Sequence, residues 1–213
     1  MGKRLGAPVR AVHVTSGGGL RGEARASALA RVARGEEHEL VGRPETLLSA
    51  LADAPGATLM VLGARQRGWP ARGRRASGTA LSVARRVARP LLLAPPNATD
   101  WKGPCRVLTV LDGTGETALA AASALADIRA ADATTAALHL GNGRSRPIPE
   151  RTGTSRAAVG RRVLERLAEG DVDLVVMVWG RRSGGADWRA VLDVLARTPV
   201  PVLLVPRPGA PET

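Results

Sequence analysis

The chain alternates between short apolar runs and stretches whose apolar residues recur every three or four positions. Residues 9–15 form the first run, rich in β-branched side chains and closed by Ser16, Gly17, Gly18 and Gly19. That pattern predicts a buried strand ending in a turn. Residues 23–34 carry Ala26, Leu29, Ala30 and Val32 on one helical face, and Gly35 ends them. A short strand over 38–41 stops at Gly42, and Pro44 opens a helix with Leu47, Leu48 and Leu51 on one side. Gly56 closes that helix and residues 58–62 read as the next strand. Ala80, Val83, Ala84 and Val87 place a further helix face in a core, and residues 90–93 are the last strand of the series.

The order then repeats. Residues 95–104, PPNATDWKGP, interrupt it as a linker. Residues 9–17 line up with 105–113, 27–30 with 123–126, 59–63 with 176–180, and 90–95 with 201–206. The offset grows in the second copy, which assigns its polar, proline-containing stretch 141–154 to a surface loop. Two domains are expected, residues 1–98 and residues 99–213. Apolar runs, as opposed to alternating ones, belong in parallel sheets covered on both faces. The expected fold class is therefore α/β: two repeated open parallel-sheet units of Rossmann-like type, one sheet per half, packed as a pseudo-twofold pair. The short proline-flanked strand closing each half is the expected meeting edge, since a buried edge needs pairing.

Composition narrows the chemistry. Phe and Tyr are absent and the aromatic residues are Trp69, Trp101, Trp179 and Trp188, so the core is aliphatic and base-stacking platforms are not expected. The formal charge of +12 points toward polyanions, but it is nearly all arginine and reads in part as codon bias. Its distribution says more: residues 64–99 hold eight Arg and no Asp or Glu. Cys105 is the single cysteine and begins an apolar run, which excludes an intramolecular disulfide and reads as a buried thiol. His13, His38 and His139 lack metal-ligand spacing, and no metal site is expected. The N-terminus has no apolar leader region and no stretch reaches the length of a membrane span, so a cytoplasmic protein is expected.

Residues 59–93 are the most informative stretch. A strand stops at Gly63, a loop with Arg65, Arg67, Gly68, Arg72, Gly73, Arg74 and Arg75 follows, and Gly78 and Thr79 open a helix. Strand, basic glycine loop and helix N-terminus form an anion cradle, because free backbone N–H groups and the helix dipole converge there. Arg65 and Arg67 would pair with phosphates, N–H groups near Gly78 would hold an oxygen, and the Thr79 hydroxyl would donate to it. Ser16 and Gly17 would let backbone approach the same ligand.

These residues, taken in order, resemble the universal stress proteins in a tandem form. The resemblance rests on Leu111-Asp112-Gly113, Val41-Gly42-Arg43-Pro44, Val61-Leu62-Gly63, Gly78-Thr79 and residues 201–205, PVLLV, and it covers most of both halves. It implies an adenine-nucleotide alpha-hydrolase-like fold and ATP held by a loop of Gly, two residues, Gly, nine residues, Gly and Ser or Thr. Here nine residues separate Gly68 from Gly78, but four separate Gly63 from Gly68. The first-strand aspartate of the family is Ser16 in the first half. The second half keeps Asp112, yet after Gly180 it runs to Asp187, read as a helix N-cap. Asp112 and Gly180 are second-half candidates, and at most one phosphate-type site is expected, in the first half. Each half is shorter than the family pattern by about one strand–helix unit of ~30 residues.

No nucleophile–base pair or metal constellation is visible, so no catalytic residue is assigned and an enzyme is the weakest class. The leading expectation is a non-catalytic stress-response or regulatory protein binding ATP or another adenine nucleotide. A degenerate tandem protein acting through protein contacts is the alternative, and a basic nucleic-acid binder ranks after it. Expected partners are a small-molecule nucleotide, an unidentified protein and a second copy of the chain, with no membrane insertion.

Overall fold

The computed structural model describes residues 10–15, 36–63, 79–95, 105–111, 115–127, 134–139, 156–179 and 186–207. In chain order its elements are β1 (Arg10–Thr15), β2 (Glu36–Val41), α1 (Pro44–Ala52), β3 (Met60–Gly63), α2 (Thr79–Ala84), β4 (Leu91–Ala94), β5 (Arg106–Leu111), α3 (Gly115–Asp127), β6 (Thr134–His139), α4 (Arg156–Ala168), β7 (Leu174–Trp179), α5 (Ala186–Arg197) and β8 (Val202–Pro206). The expected helix over 23–34, most of the linker and the loop over 141–154 lie outside the described residues.

Local chemistry sets the boundaries. Gly42 has φ +153°, and a Cβ there would stand 3.0 Å from Leu47 Cδ1, so the turn from β2 into α1 requires glycine. Pro44 then fits the first helical position and Glu45 offsets the helix dipole. Gly170, at φ +79°, follows α4, and its N–H donates to Leu167 O at 3.1 Å.

The strands divide into a parallel pair, β1–β2, and a six-stranded sheet in the order β3-β4-β8-β7-β5-β6. Every neighbouring pair of the larger sheet is parallel except β4–β8, which is antiparallel with Leu91↔Leu204, Leu92↔Leu203 and Leu93↔Val202. The α/β class holds, and the expectation of one sheet per half is corrected. The closing strands of the halves hydrogen-bond to each other and join into a single sheet, since an unpaired leucine edge would bury orphan N–H and C=O groups.

Alternation along the central strands feeds two cores. Leu91, Leu93, Leu108, Val110, Val175, Met177, Val202 and Leu204 point to one face, under α1, α2, α4 and α5. Leu92, Val107, Leu111, Leu174, Val176, Leu203 and Val205 point to the other, where Ala120, Ala121 and Ala124 of α3 cover them. Thr109 on β5 is buried, and its Oγ1 has no hydrogen-bond partner among the described residues.

A polar clamp fastens the start of β5 to the start of β7. Arg106 donates through Nε to Asp173 Oδ2 and through Nη2 to Oδ1, each at 3.0 Å, and its backbone N–H reaches Oδ2 at 2.9 Å. The Asp173 N–H returns a bond to Arg106 O at 2.8 Å. The Arg106 hydrogen bond holds the Asp173 carboxyl below the usual carboxylate range, and the same contact raises Arg106.

These features give three expected outcomes in equilibrium denaturation. Leu203→Ala, which opens a cavity at a fully buried site, costs about 2–5 kcal/mol. Thr109→Val removes an unpaired hydroxyl at nearly constant shape and raises stability by about 1 kcal/mol. Because folding lowers the Asp173 pKa, the clamp's contribution is fully present above roughly pH 4 and is lost as pH falls through the lower folded value. Melting temperature followed down the acid range should fall less steeply for Asp173→Asn than for the parent chain.

Candidate functional site

β3 and β4 are parallel neighbours, so the chain that leaves one edge of the sheet at Gly63 must return to that edge before α2 carries it back. Gly63 lies opposite Ala94 at the C-terminal end of the pair. It is exposed, and a Cβ built on it would meet no atom within 4 Å. Thr79 is the first residue of α2 and is exposed, while Leu81, Val83 and Ala84 are buried and fix the helix over the sheet. No acidic residue occupies the first turn of α2. Open space at Gly63, an exposed hydroxyl at Thr79 and a helix start without a carboxylate fit a phosphate group.

The other first-half candidates, Ser16, Gly17, Arg65, Arg67, Gly68 and Gly78, lie outside the described residues. Ser16 directly follows β1. Among the described residues β1 pairs with β2 and not with β3, so the end of β1 and Gly63 belong to different sheets.

The antiparallel β4–β8 pair brings in a residue that sequence reasoning missed. In the β7–α5–β8 crossover, α5 ends beside the start of β8, and Val202 at that start faces Leu93 near the end of β4. Arg197, exposed at the end of α5, therefore shares a sheet edge with Gly63 and Thr79. β8 lies two strand spacings from β3, about 10 Å. Other polar groups on this edge are engaged. Arg106 holds Asp173, Arg166 pairs with Glu169 and at 3.2 Å with Asp171, and Thr198 Oγ1 both donates to Val200 O and accepts from Val200 N–H. Only the register between distant strands could have pointed to Arg197; no local pattern around it does.

In the second half the order β6-β5-β7-β8 puts the reversal of strand order between β5 and β7, where open α/β sheets form their crevice. Asp112 and Gly180 immediately follow β5 and β7 and lie outside the described residues. The flanking helices differ from α2. Glu116 is exposed in the first turn of α3, and Asp187 is the second residue of α5. The expected N-cap role of Asp187 is corrected, because the helix begins at Ala186, and an acid one position further in sits within the first turn. Among the described residues no group of three or more His, Cys, Asp or Glu is placed to hold a metal ion, and no helix is long and apolar enough to cross a membrane. Cys105 is buried.

No family model matches the sequence, and no curated protein matches it. Solved structures do match the fold. A universal stress protein from Archaeoglobus fulgidus DSM 4304 superposes with a TM-score of 0.58 at 13% identity, over 87% of this chain and 74% of that one. A functionally unknown protein from Pseudomonas aeruginosa PAO1 gives 0.62 at 14% identity, over 94% and 83%. A candidate universal stress protein from Pseudomonas aeruginosa UCBPP-PA14 gives 0.62 at 15% identity over the same shares. Sequence identity this low leaves the likeness to rest on the order and direction of strands and helices. The chain has the fold of the universal stress proteins.

Proposed function

We propose that this chain is a tandem universal stress-type protein, made of residues 1–98 and 99–213, that binds ATP or another adenine nucleotide without turning it over. The single observation that carries the reading is the β3–α2–β4 crossover, in which the chain leaves Gly63 and enters α2 at Thr79 on the same side of the sheet and the helix has no acid in its first turn. Arg65 and Arg67 supply cations to the phosphates, N–H groups near Gly78 and the Thr79 hydroxyl hold an oxygen, and Ser16 and Gly17 line the adenosine side. Arg197 adds a cation from the other half. The acid at Glu116, in the first turn of α3, argues for a single phosphate site, so Asp112 and Gly180 are left with at most the nucleoside part of a ligand. Such a protein acts in the cytoplasm as a regulatory or stress-response factor.

One observation favours a second reading, in which no nucleotide binds and the chain works through protein contacts. That observation is Leu119, 72% exposed on the outer side of α3, whose inner side packs through Ala120, Ala121 and Ala124.

Isothermal titration with ATP at two salt concentrations decides between them. Saturable binding is expected, weakened at least roughly tenfold in the Arg65→Ala, Arg67→Ala, Thr79→Ala triple variant, since losing even one charge-assisted bond costs that much. Arg197→Ala should weaken it to a smaller extent. Absence of saturable binding, or equal affinity in the triple variant, would overturn the nucleotide reading.

A further inference from the structure

The sheet edge opposite Gly63 and Thr79 carries a second cationic feature. α2 runs back against its strands, so the segment after it descends to the start of β4, and Arg85, Arg86 and Arg89 are all exposed there. The antiparallel ladder fixes what lies beside them. Continuing Leu91↔Leu204 by register brings Arg89 alongside Pro206, and Arg207 follows at the end of β8. The arginines of the first half thus stand at the C-terminal ends of the second half's strands, a juxtaposition that no local stretch of sequence contains.

Among the described residues, the acidic ones that the backbone brings to this end of the sheet are Asp53, Glu116 and Asp187, the second residue of α5, which opens beside the C-terminal ends of β7 and β8. Asp53, at the end of α1, accepts the Ala88 N–H at 3.3 Å. Glu116 opens α3 next to β5, three strand spacings from β4 or about 14 Å. Arg85, Arg86 and Arg207 also make contacts within the chain. A guanidinium has five N–H donors in a planar fork, so one internal contact leaves it able to grip a phosphate.

We propose that this edge docks the phosphate backbone of a double-stranded nucleic acid, independently of base sequence. Exposed arginines at 85, 86 and 89, in the turn just beyond the end of α2, offer guanidinium groups to a run of phosphates, and counterion release supplies the affinity. The proposal is separate from phosphate binding at Gly63 and Thr79, since those two surfaces lie at opposite ends of α2.

The test is fluorescence anisotropy of a short random-sequence DNA duplex titrated with the full chain over a salt series. Log affinity should fall linearly with log salt. In the Arg85→Gln, Arg86→Gln, Arg89→Gln variant the slope should shrink by about 2.7, or 0.9 for each lost phosphate contact. Replacing the same three by Lys should preserve the slope, and ATP affinity should be unchanged in both variants. If circular dichroism shows the triple Gln chain to be unfolded, Arg89→Gln alone should still lower the slope by about 0.9. A flat salt response, an unchanged slope in the folded Gln variants, a slope lost equally in the Lys variant, or displacement of the duplex by ATP would overturn the proposal. Binding to anionic phosphatidylglycerol vesicles with none to the duplex would overturn it too.

Discussion

The antiparallel contact between β4 and β8 governs the rest of the molecule. Both strands are apolar on both faces, so their backbone polar groups are removed from water and must find partners in the ladder. Three residue pairs are enough, because Leu91, Leu92 and Leu93 meet Leu204, Leu203 and Val202 with leucine or valine on each side of the sheet. Direction matters as much as contact. With β8 reversed against β4, the end at which one half finishes its strands is the end at which the other half finishes its helices. Arg197 reaches the neighbourhood of Gly63, and Arg89 reaches the neighbourhood of Arg207, by this one reversal.

The same pair unifies the packing. Each core runs without a break from β4 through β8 and β7 to β5, so neither half owns its hydrophobic interior. The described interior is made from Leu, Val and Ala with one buried Met and the Cys105 thiol, and fit comes from alternation along the strands rather than from large anchoring rings. α3 meets the sheet through alanines, which lets it lie close above β5 and β7. Among the buried polar residues described, Ser49, Thr109, Thr117 and Thr198, Thr109 sits under that helix with its hydroxyl unpartnered.

Much of this was legible beforehand. Apolar runs bounded by glycine and proline located seven of the strands within a residue or two, because burial on both faces erases the polar alternation that would otherwise mark a surface strand. Pro44 and Gly42 marked the entry to α1 for stereochemical reasons that hold in any context. The final apolar run of each half was recognisable as a joining edge because it was too hydrophobic to be left open. Less legible was anything that depends on strand register. One sheet or two, and which arginine stands beside which loop, follow from pairings between residues more than a hundred positions apart. The N-cap assignment of Asp187 failed for a smaller reason: an acid one position inside a helix serves the dipole nearly as well as one at the cap. For the candidate site, Gly63 and Thr79 stand on the same side of the sheet, and the remaining first-half assignments lie outside the described residues.

The separation between Leu92 and Leu203 also has a consequence for the order of events during synthesis. β4 is complete long before β8 leaves the ribosome, and until then its leucine edge is an open template facing solvent. Contacts this distant close late, after local crossovers have formed. A chain halted after its first half would offer that edge to any strand within reach, including the same edge of another nascent chain. The second half therefore acts toward the first as a tethered chaperone, arriving at high local concentration to occupy a surface that would otherwise drive aggregation.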